Sequence, residues 1–331
     1  MKNKLILLTH KGFFTQDILG YRNIDLELLQ YTLIQEGIEV DVLEYSELAN
    51  FDYQINNESL YICGSHQNKD VKSYINDILL ARFSQRSNII PSLAQVFAHE
   101  NKGVMGVLSS ELGLNLVPQD YHLHYNSPKL TYPIILKTID GAGSKGVSKS
   151  SSSNQTSRFV RRVLIQQATL SGIIQVAKNV IKRLLGNLNY AKYFKRHARF
   201  VSQKFIGNLD CDYKVLVFFD KAYVLKRLVR EGDFRASGSG KFYFEKEVGA
   251  SILNTAFEAR RKLNTPYVSL DIAVEDDGQA SIIEFQCSHF GPYTQMEADF
   301  YFDEKGERIS KGGMKYEVDI AKALCQFIKN R

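Results

Sequence analysis

The spacing of apolar residues changes character several times along the chain. In residues 1–95, short β-rich runs at Leu5–Leu8, Glu39–Leu43 and Leu60–Cys63 are separated by stretches with apolar residues every three or four positions, Asp25–Glu36 and Asp70–Ser84. That β-α-β order predicts a small parallel sheet with helices on its faces. The segment PSLAQVFAHENKGVMGVLSSELGL then reads as a helix with Asn101 and Lys102 near its start, and Pro118 and Pro128 punctuate the loop after it. Residues 132–138 form a strand that runs into a glycine cluster, followed by the serine run SKSSSS. A long helical pattern follows, from Gln155 to Arg199. Two β-rich pairs come next, DYKVLVFFDKAYVLKRLV and SLDIAVEDDGQASIIEF, each with a polar dipeptide at its centre. The last helix runs from Lys315 to Lys329, and no internal repeat is visible. The fold class is α/β with α+β character.

The hairpins carry the first chemical signal. A two-residue turn at Asp277-Gly278 sets Asp271 opposite Glu284. Two carboxylates facing each other on one sheet surface repel unless a cation lies between them. Gln286, two residues on, points to the same side. Two carboxylates and an amide oxygen make a hard oxygen site suited to Mg²⁺; two solvated carboxylates on a wet face are the plainer reading. In the first hairpin, a turn at Asp220-Lys221 sets Lys214 opposite Arg227. Here two cations meet, an arrangement that calls for an anion, or else a basic edge that discourages strand aggregation.

Charge sharpens the picture. The chain has 331 residues and a formal net charge of +6, yet Gly141 to Leu209 holds 13 Lys or Arg and no Asp or Glu. Something anionic is expected near this block. Within it, Ile173, Ala177, Val180, Ile181, Leu184 and Leu188 recur at helical spacing, with Gln175, Lys178, Lys182 and Arg183 on the other side. Three roles fit residues 158–199: an apolar face that is core with a solvated basic face, which is the preferred reading, a polyanionic substrate site, or a surface that rests on an anionic membrane. Base stacking on nucleic acid is poorly supported, because the interleaved aromatics are few, with Tyr190, Tyr193 and Phe194 at one end.

The four apolar residues at Leu5–Leu8 are too few for a signal or membrane-spanning segment and predict a buried strand. Cys63, Cys211, Cys287 and Cys325 lack metal-site spacing and are expected to be reduced thiols of a cytoplasmic protein. The glycine loop in PIILKTIDGAGSKGV has Walker-like glycine spacing, but Val147-Ser148 stand where Lys and Ser or Thr belong, and no acidic residue follows at the distance a dinucleotide site requires. There is no G-x-S-x-G and no H-E-x-x-H. Cys287 and His289 are site-lining at most.

Taken in order, a βαβ-type domain, a lysine and glycine loop after a strand, a basic stretch, VSQKFI, two hairpins and D…E-x-Q resemble the ATP-grasp superfamily. The resemblance extends to ribosomal-protein-modifying glutamate ligases and, more distantly, to D-alanine–D-alanine ligases. It implies an N-terminal pre-ATP-grasp domain over residues 1–95 and an ATP-grasp domain over 96–331. The latter divides into a small lid subdomain at 131–207 with a basic helical insert and a metal and substrate subdomain at 208–331, the two clasping the nucleotide. By the same resemblance, Lys102 and Lys137 hold ATP phosphates, and Gly141, Gly143, Ser144, Gly146 and Val147 form the loop over them. Gln203, Lys204, Phe205 and Ile206 are the adenine-contacting hinge strand. Asp212 meets the ribose, and Lys214 belongs to the nucleotide set. Arg227 and Arg235 serve the γ-phosphate and the carboxylate substrate. Asp271, Glu284 and Gln286 bind Mg²⁺. Gln286 replaces the usual Asn, and Ser237 the usual Asn after the FR pair.

The activity implied is ATP-dependent carboxylate–amine ligation through an acyl phosphate, releasing ADP and phosphate. The expected acid and amine are small molecules or glycan or peptide precursors, including those of surface polysaccharides. The competing expectations are an ATP-binding protein without ligase activity and a polyanion- or membrane-binding module built on the basic helix, peripheral at the inner membrane face.

Overall fold

The computed structural model describes residues 4–15, 23–123, 129–141, 146–166, 170–189, 197–230, 232–233, 235 and 240–330, with residues 170–173 described by backbone alone. Residues 1–116 and 208–331 form one compact unit, and residues 117–207 form a second.

In the first unit, β1 (Lys4–Thr9), β2 (Glu39–Glu44), β3 (Leu60–Ile62) and β4 (Ile89–Ile90) make a parallel sheet in the order β2-β1-β3-β4. Its connections contain α1 (Leu26–Gln35), α2 (Tyr45–Leu48) and α3 (Lys69–Phe83). β1 is central and its apolar run is buried throughout, as a strand covered on both faces requires. The predicted single helix after β4 is two helices. α4 (Leu93–Ala98) starts at Ser92, whose hydroxyl accepts from the Gln95 N–H. The chain then breaks at Glu100, which takes a left-handed φ of 52°. The Asn101 side chain caps α5 (Lys102–Glu111) by accepting from the Val104 N–H.

The second unit is an antiparallel sheet of β5 (Gln119–His122), β6 (Ile134–Thr138), β7 (Val147–Ser150) and β8 (Phe200–Lys204), in the order β5-β8-β6-β7. Between β7 and β8 lie α6 (Ser153–Gln166) and α7 (Leu170–Leu184). Phe159 and Val163 of α6 pack with Ile134, Leu136, Ala198 and Phe200 into a small core. The expectation that the apolar face of α7 is core fails: Ile174, Val180 and Ile181 are about half exposed, and Leu184 is 81% exposed.

The chain then returns to the first unit with β9 (Cys211–Phe218), β10 (Lys221–Leu228) and β11 (Phe242–Tyr243), followed by α8 (Ala250–Leu263), β12 (Tyr267–Val274) and β13 (Ala280–Gln286). It ends with α9 (Tyr293–Glu297), β14 (Phe300–Phe302), β15 (Arg308–Ser310) and α10 (Tyr316–Lys329). These strands form a sheet in the order β13-β12-β9-β10-β14-β15, with β11 on β10. One face buries Val215, Val217, Leu270, Ile272 and Phe285 with α8. On the other, Leu216 and Phe218 join Leu5, Leu7, Leu29, Ile320 and Leu324 in a core shared with the N-terminal sheet. β9 thus changes on one face from Asp212 and Lys214 to Leu216 and Phe218, and that change separates a charged surface from the core.

Candidate active site

The charged surface is built by strand register. The first hairpin turns at Phe219-Asp220, one residue earlier than predicted: Lys221 pairs with Phe218, and Phe219 takes a left-handed φ of 54°. Lys214 therefore faces Leu225, and the expected Lys214–Arg227 opposition does not form. Arg227 faces Asp212 instead, and the two make a bidentate pair, Nε to Oδ1 at 2.6 Å and Nη2 to Oδ2 at 2.9 Å. Both side chains are buried, so this is the planar fork that a guanidinium makes best with a carboxylate.

The second hairpin reaches its predicted pairing by another route. The Glu275 N–H bonds to the Gln279 carbonyl, leaving a three-residue loop, Asp276-Asp277-Gly278, with Gly278 at φ 80°. That loop shifts the register by one residue. A bulge between Asp271/Ile272 and their partners, with Ile283 as the extra residue, shifts it back, so Asp271 does face Glu284. Gln286 faces Ser269 two pairs further on.

Two cations meet Asp271. Arg227 Nη2 lies 2.9 Å from Oδ2, and Lys214 Nζ lies 3.3 Å from Oδ1. Glu284 Oε1 lies 3.8 Å from Nζ of Lys102, whose side chain is 5% exposed in the first turn of α5. Burial alone would raise the Asp271 carboxyl, but Arg227 and Lys214 outweigh it and hold it well below the usual carboxylate range. For Asp212 the balance is reversed: burial raises it against the pull of Arg227. Arg227 itself is held protonated, since Asp271 and Asp212 more than offset its burial. Asp212, Asp271 and Glu284 thus alternate with Arg227, Lys214 and Lys102 on one surface of the first unit.

Among the described residues, no cluster of three His, Cys, Asp or Glu side chains is placed to hold a metal ion. The candidate donor set is two carboxylates and one amide, all partly exposed at Asp271, Glu284 and Gln286. These are hard oxygen donors of the kind Mg²⁺ takes, and Lys102 stands beyond hydrogen-bond reach of Glu284, while Asp271 would share its oxygens between an ion and the Arg227 and Lys214 already on them. Arg235 is tied to Asp233 through three hydrogen bonds of 2.6–3.0 Å. Cys287 is buried and that burial pushes its thiol up, a setting that disfavours the thiolate.

In the second unit, Lys137 is buried in β6, between Val147 of β7 and Val201 of β8. Gly141 and Gly146 bracket the loop at φ 121° and 74°. At Gly146 a Cβ would stand 2.2 Å from Thr138 Oγ1, so the close approach of the two strands requires glycine. Gly143, Ser144, Ser237 and the aromatics Tyr190, Tyr193 and Phe194 lie outside the described residues. Gln203 is buried in β8 and its amide donates to Gln119 Oε1 at 3.3 Å, while Phe205 lies under Lys149, with Nζ 3.8 Å from the ring centroid. Ile206 follows, half-buried.

No family model and no curated protein matches the sequence. Solved structures do match over the length of the chain. D-cycloserine synthetase DcsG has a TM-score of 0.53 at 13% identity, covering 98% of this chain and 99% of its own. The ATP-grasp ligase PsnB, complexed with a minimal precursor, Mg and ADP, has a TM-score of 0.53 at 11% identity and covers 99% of each chain. The macrocyclase MdnC from Microcystis aeruginosa MRC, bound to precursor peptide MdnA, has a TM-score of 0.52 at 9% identity over 98% of this chain and 99% of its own. This chain has the ATP-grasp fold. The ATP-grasp expectation drawn from motif order therefore holds for the fold, although no stretch of sequence alone matches. The contact of Lys102 with Glu284 had no sequence signal, since 182 positions separate them. The Asp212–Arg227 pair was hidden by a turn misplaced by one residue.

Proposed function

We propose that the protein is an ATP-dependent carboxylate–amine ligase. The observation that carries the reading is the alternating charge surface on β9, β10, β12 and β13 of an ATP-grasp fold, with Glu284 and Gln286 beside Asp271. ATP would donate its γ-phosphoryl group to a carboxylate. An amine would then displace phosphate from the acyl phosphate to give an amide, with ADP released.

Phosphoryl transfer is catalysed largely by positioning and by neutralising charge. Asp271, Glu284 and Gln286 would hold Mg²⁺, which when bound supplies Lewis acidity and charge neutralisation. Arg227 is fixed by Asp212 and Asp271, so its guanidinium costs little further ordering when an anion arrives. Lys102, Lys137 and Lys214 would bind phosphate oxygens, and Asp212 the ribose. Gln203, Lys204, Phe205 and Ile206 would contact adenine. Gly141, Gly143, Ser144, Gly146 and Val147 would cover the phosphates and exclude water from the acyl phosphate. Arg235 would receive the carboxylate substrate. This reading keeps residues 1–95 as the pre-ATP-grasp domain and 96–331 as the ATP-grasp domain.

Small molecules, peptides and glycan precursors remain the substrate classes. Peptides come first, since MdnC is described bound to a precursor peptide.

The test is thermal stability with and without a non-hydrolysable MgATP analogue, followed by ADP release with pooled acids and amines. At about 100 times its Kd the analogue adds roughly 2.7 kcal/mol to stability. The wild type should shift in a magnesium-dependent way. Glu284→Gln should lose the magnesium dependence and at least about a hundredfold in ADP release. A variant with unchanged turnover would remove the metal assignment. A shift without ADP release under any acid and amine would leave a nucleotide-binding protein.

A further inference from the structure

The helix α7 has no place in the ligase reading. It is amphipathic in the strict sense: at about 100° per residue, Ile174, Val176, Ala177, Val180, Ile181 and Leu184 fall in one half of its circumference. Gln175, Lys178, Asn179, Lys182 and Arg183 fall in the other. A surface helix of this pattern ordinarily buries its apolar half. Here that half is open. Val176 and Val180 are 48% and 50% exposed, Leu184 is 81% exposed, and Leu185 and Leu188 continue the exposed apolar run past the helix end. α6, its neighbour in sequence, does bury Phe159 and Val163, so the exposure belongs to α7 and not to the whole basic segment.

We propose that α7 seats on an anionic lipid surface, with its apolar half in the acyl boundary and its cations at the headgroups. Charge chooses the occupant. The block from Gly141 to Leu209 holds 13 cations and no carboxylate, so a second copy of the helix would cover the apolar half and bring no anion to the basic one. An acidic nucleic acid strand or glycan would satisfy the charge and leave the apolar half in water. A bilayer carrying anionic lipid satisfies both halves at once. No helix among the described residues is long and apolar enough to cross a membrane, so the attachment is interfacial. The proposal stands apart from the ligase reading and does not depend on it.

The experiment is co-sedimentation of the full chain with phosphatidylcholine vesicles, plain or carrying about a third phosphatidylserine. The expected result is binding to the anionic vesicles only, weakened by salt. Each basic residue at such a surface is worth roughly a fivefold change in partition. Lys178→Glu/Lys182→Glu/Arg183→Glu should therefore cut binding by more than about a hundredfold. Val180→Glu/Leu184→Glu should abolish it with all cations in place. All of these side chains are at the surface, and unchanged far-ultraviolet dichroism and melting temperature check that the variants fold. The chain has no tryptophan, so Leu184→Trp introduces a single reporter at a conservative position. Its emission should shift to the blue on anionic vesicles. Equal binding to plain vesicles would overturn the proposal. So would anionic binding that survives Val180→Glu/Leu184→Glu, or a Leu184→Trp emission that stays at its aqueous position. A wild-type dimer that Val180→Glu/Leu184→Glu converts to monomer would reassign the face to a second copy.

Discussion

Arg227 holds two carboxylates at once, Asp212 through a bidentate pair and Asp271 through a single bond. Removing one partner of a buried pair costs more than the pair contributes, because the other charge is left uncompensated. Arg227→Ala should therefore destabilise the fold by about 3–5 kcal/mol in urea denaturation, and Asp212→Leu/Arg227→Met should recover most of that loss. His99 provides a pH signature. It is buried with neither ring nitrogen hydrogen-bonded, and burial, with the nearby His289 and Lys72, lowers it to about 3. The unfolded chain takes up its proton near pH 6.5, and the folded chain does so only near pH 3. Stability from this group is thus complete above the unfolded value and is lost as the pH falls toward the folded one, by about 2 kcal/mol at pH 5. His289, lowered to about 4 by burial, acts in the same sense. His99→Leu should flatten the fall in melting temperature between pH 7 and 5, a range in which the low Asp271 stays ionised. At the residue scale, β-strand alternation made it legible in the sequence that Glu284 and Gln286 share a face. It could not show which cation sits on which carboxylate, since that depends on contacts between distant segments.

The two hairpins show why element-level reading succeeds unevenly. Asp277-Gly278 advertises a two-residue turn, yet the chain makes a three-residue loop, and a bulge at Ile283 restores the register. The pairing of Asp271 with Glu284 was thus reached through two offsets that cancel. In the other hairpin nothing cancels. Phe219, a residue with no turn preference, takes the left-handed position, and the predicted cation pair disappears. Strand existence was legible, whereas a one-residue register was not. The same limit applies to α7: helical periodicity identified an apolar face but not whether anything covers it. Gly146 gives the element-scale prediction. Left-handed backbone costs an alanine about 1–2 kcal/mol, and its Cβ would also stand 2.2 Å from Thr138 Oγ1. Gly146→Ala should lower the melting temperature and weaken binding of the MgATP analogue. Adding Thr138→Ala should restore part of the loss and not all, because it removes the two shortest contacts and leaves a tight one, 3.1 Å to the Cβ of residue 138, together with the backbone strain.

At the scale of the whole molecule, residues 117–207 interrupt a unit made of the two ends of the chain. The interruption begins and ends in paired backbone. Gln119 faces Gln203 across β5 and β8, and the Lys204 N–H bonds to the Pro118 carbonyl at 2.8 Å. Residues 118 and 204 are therefore separated by about 5 Å, a gap that two or three small residues close. On the other side of the junction, Leu116 bridges to Ile282 and the Ile282 N–H bonds to the Asn115 carbonyl, so residues 115–116 are anchored within the first unit. Among the described residues, the main cores of that unit, around Leu216 and Phe218 on one face and Val215 and Val217 on the other, are built from its own side chains. Replacing residues 119–204 by Gly-Ser-Gly should thus leave a protein that unfolds in one cooperative transition, as calorimetry would show. It should also change the net charge from +6 to −7, because the removed segment carries a net +13, so that it binds an anion exchanger at neutral pH. The shortened protein should lose both analogue binding and sedimentation with anionic vesicles. A protein that unfolds on this replacement would mean that the first unit draws its stability from residues 117–207.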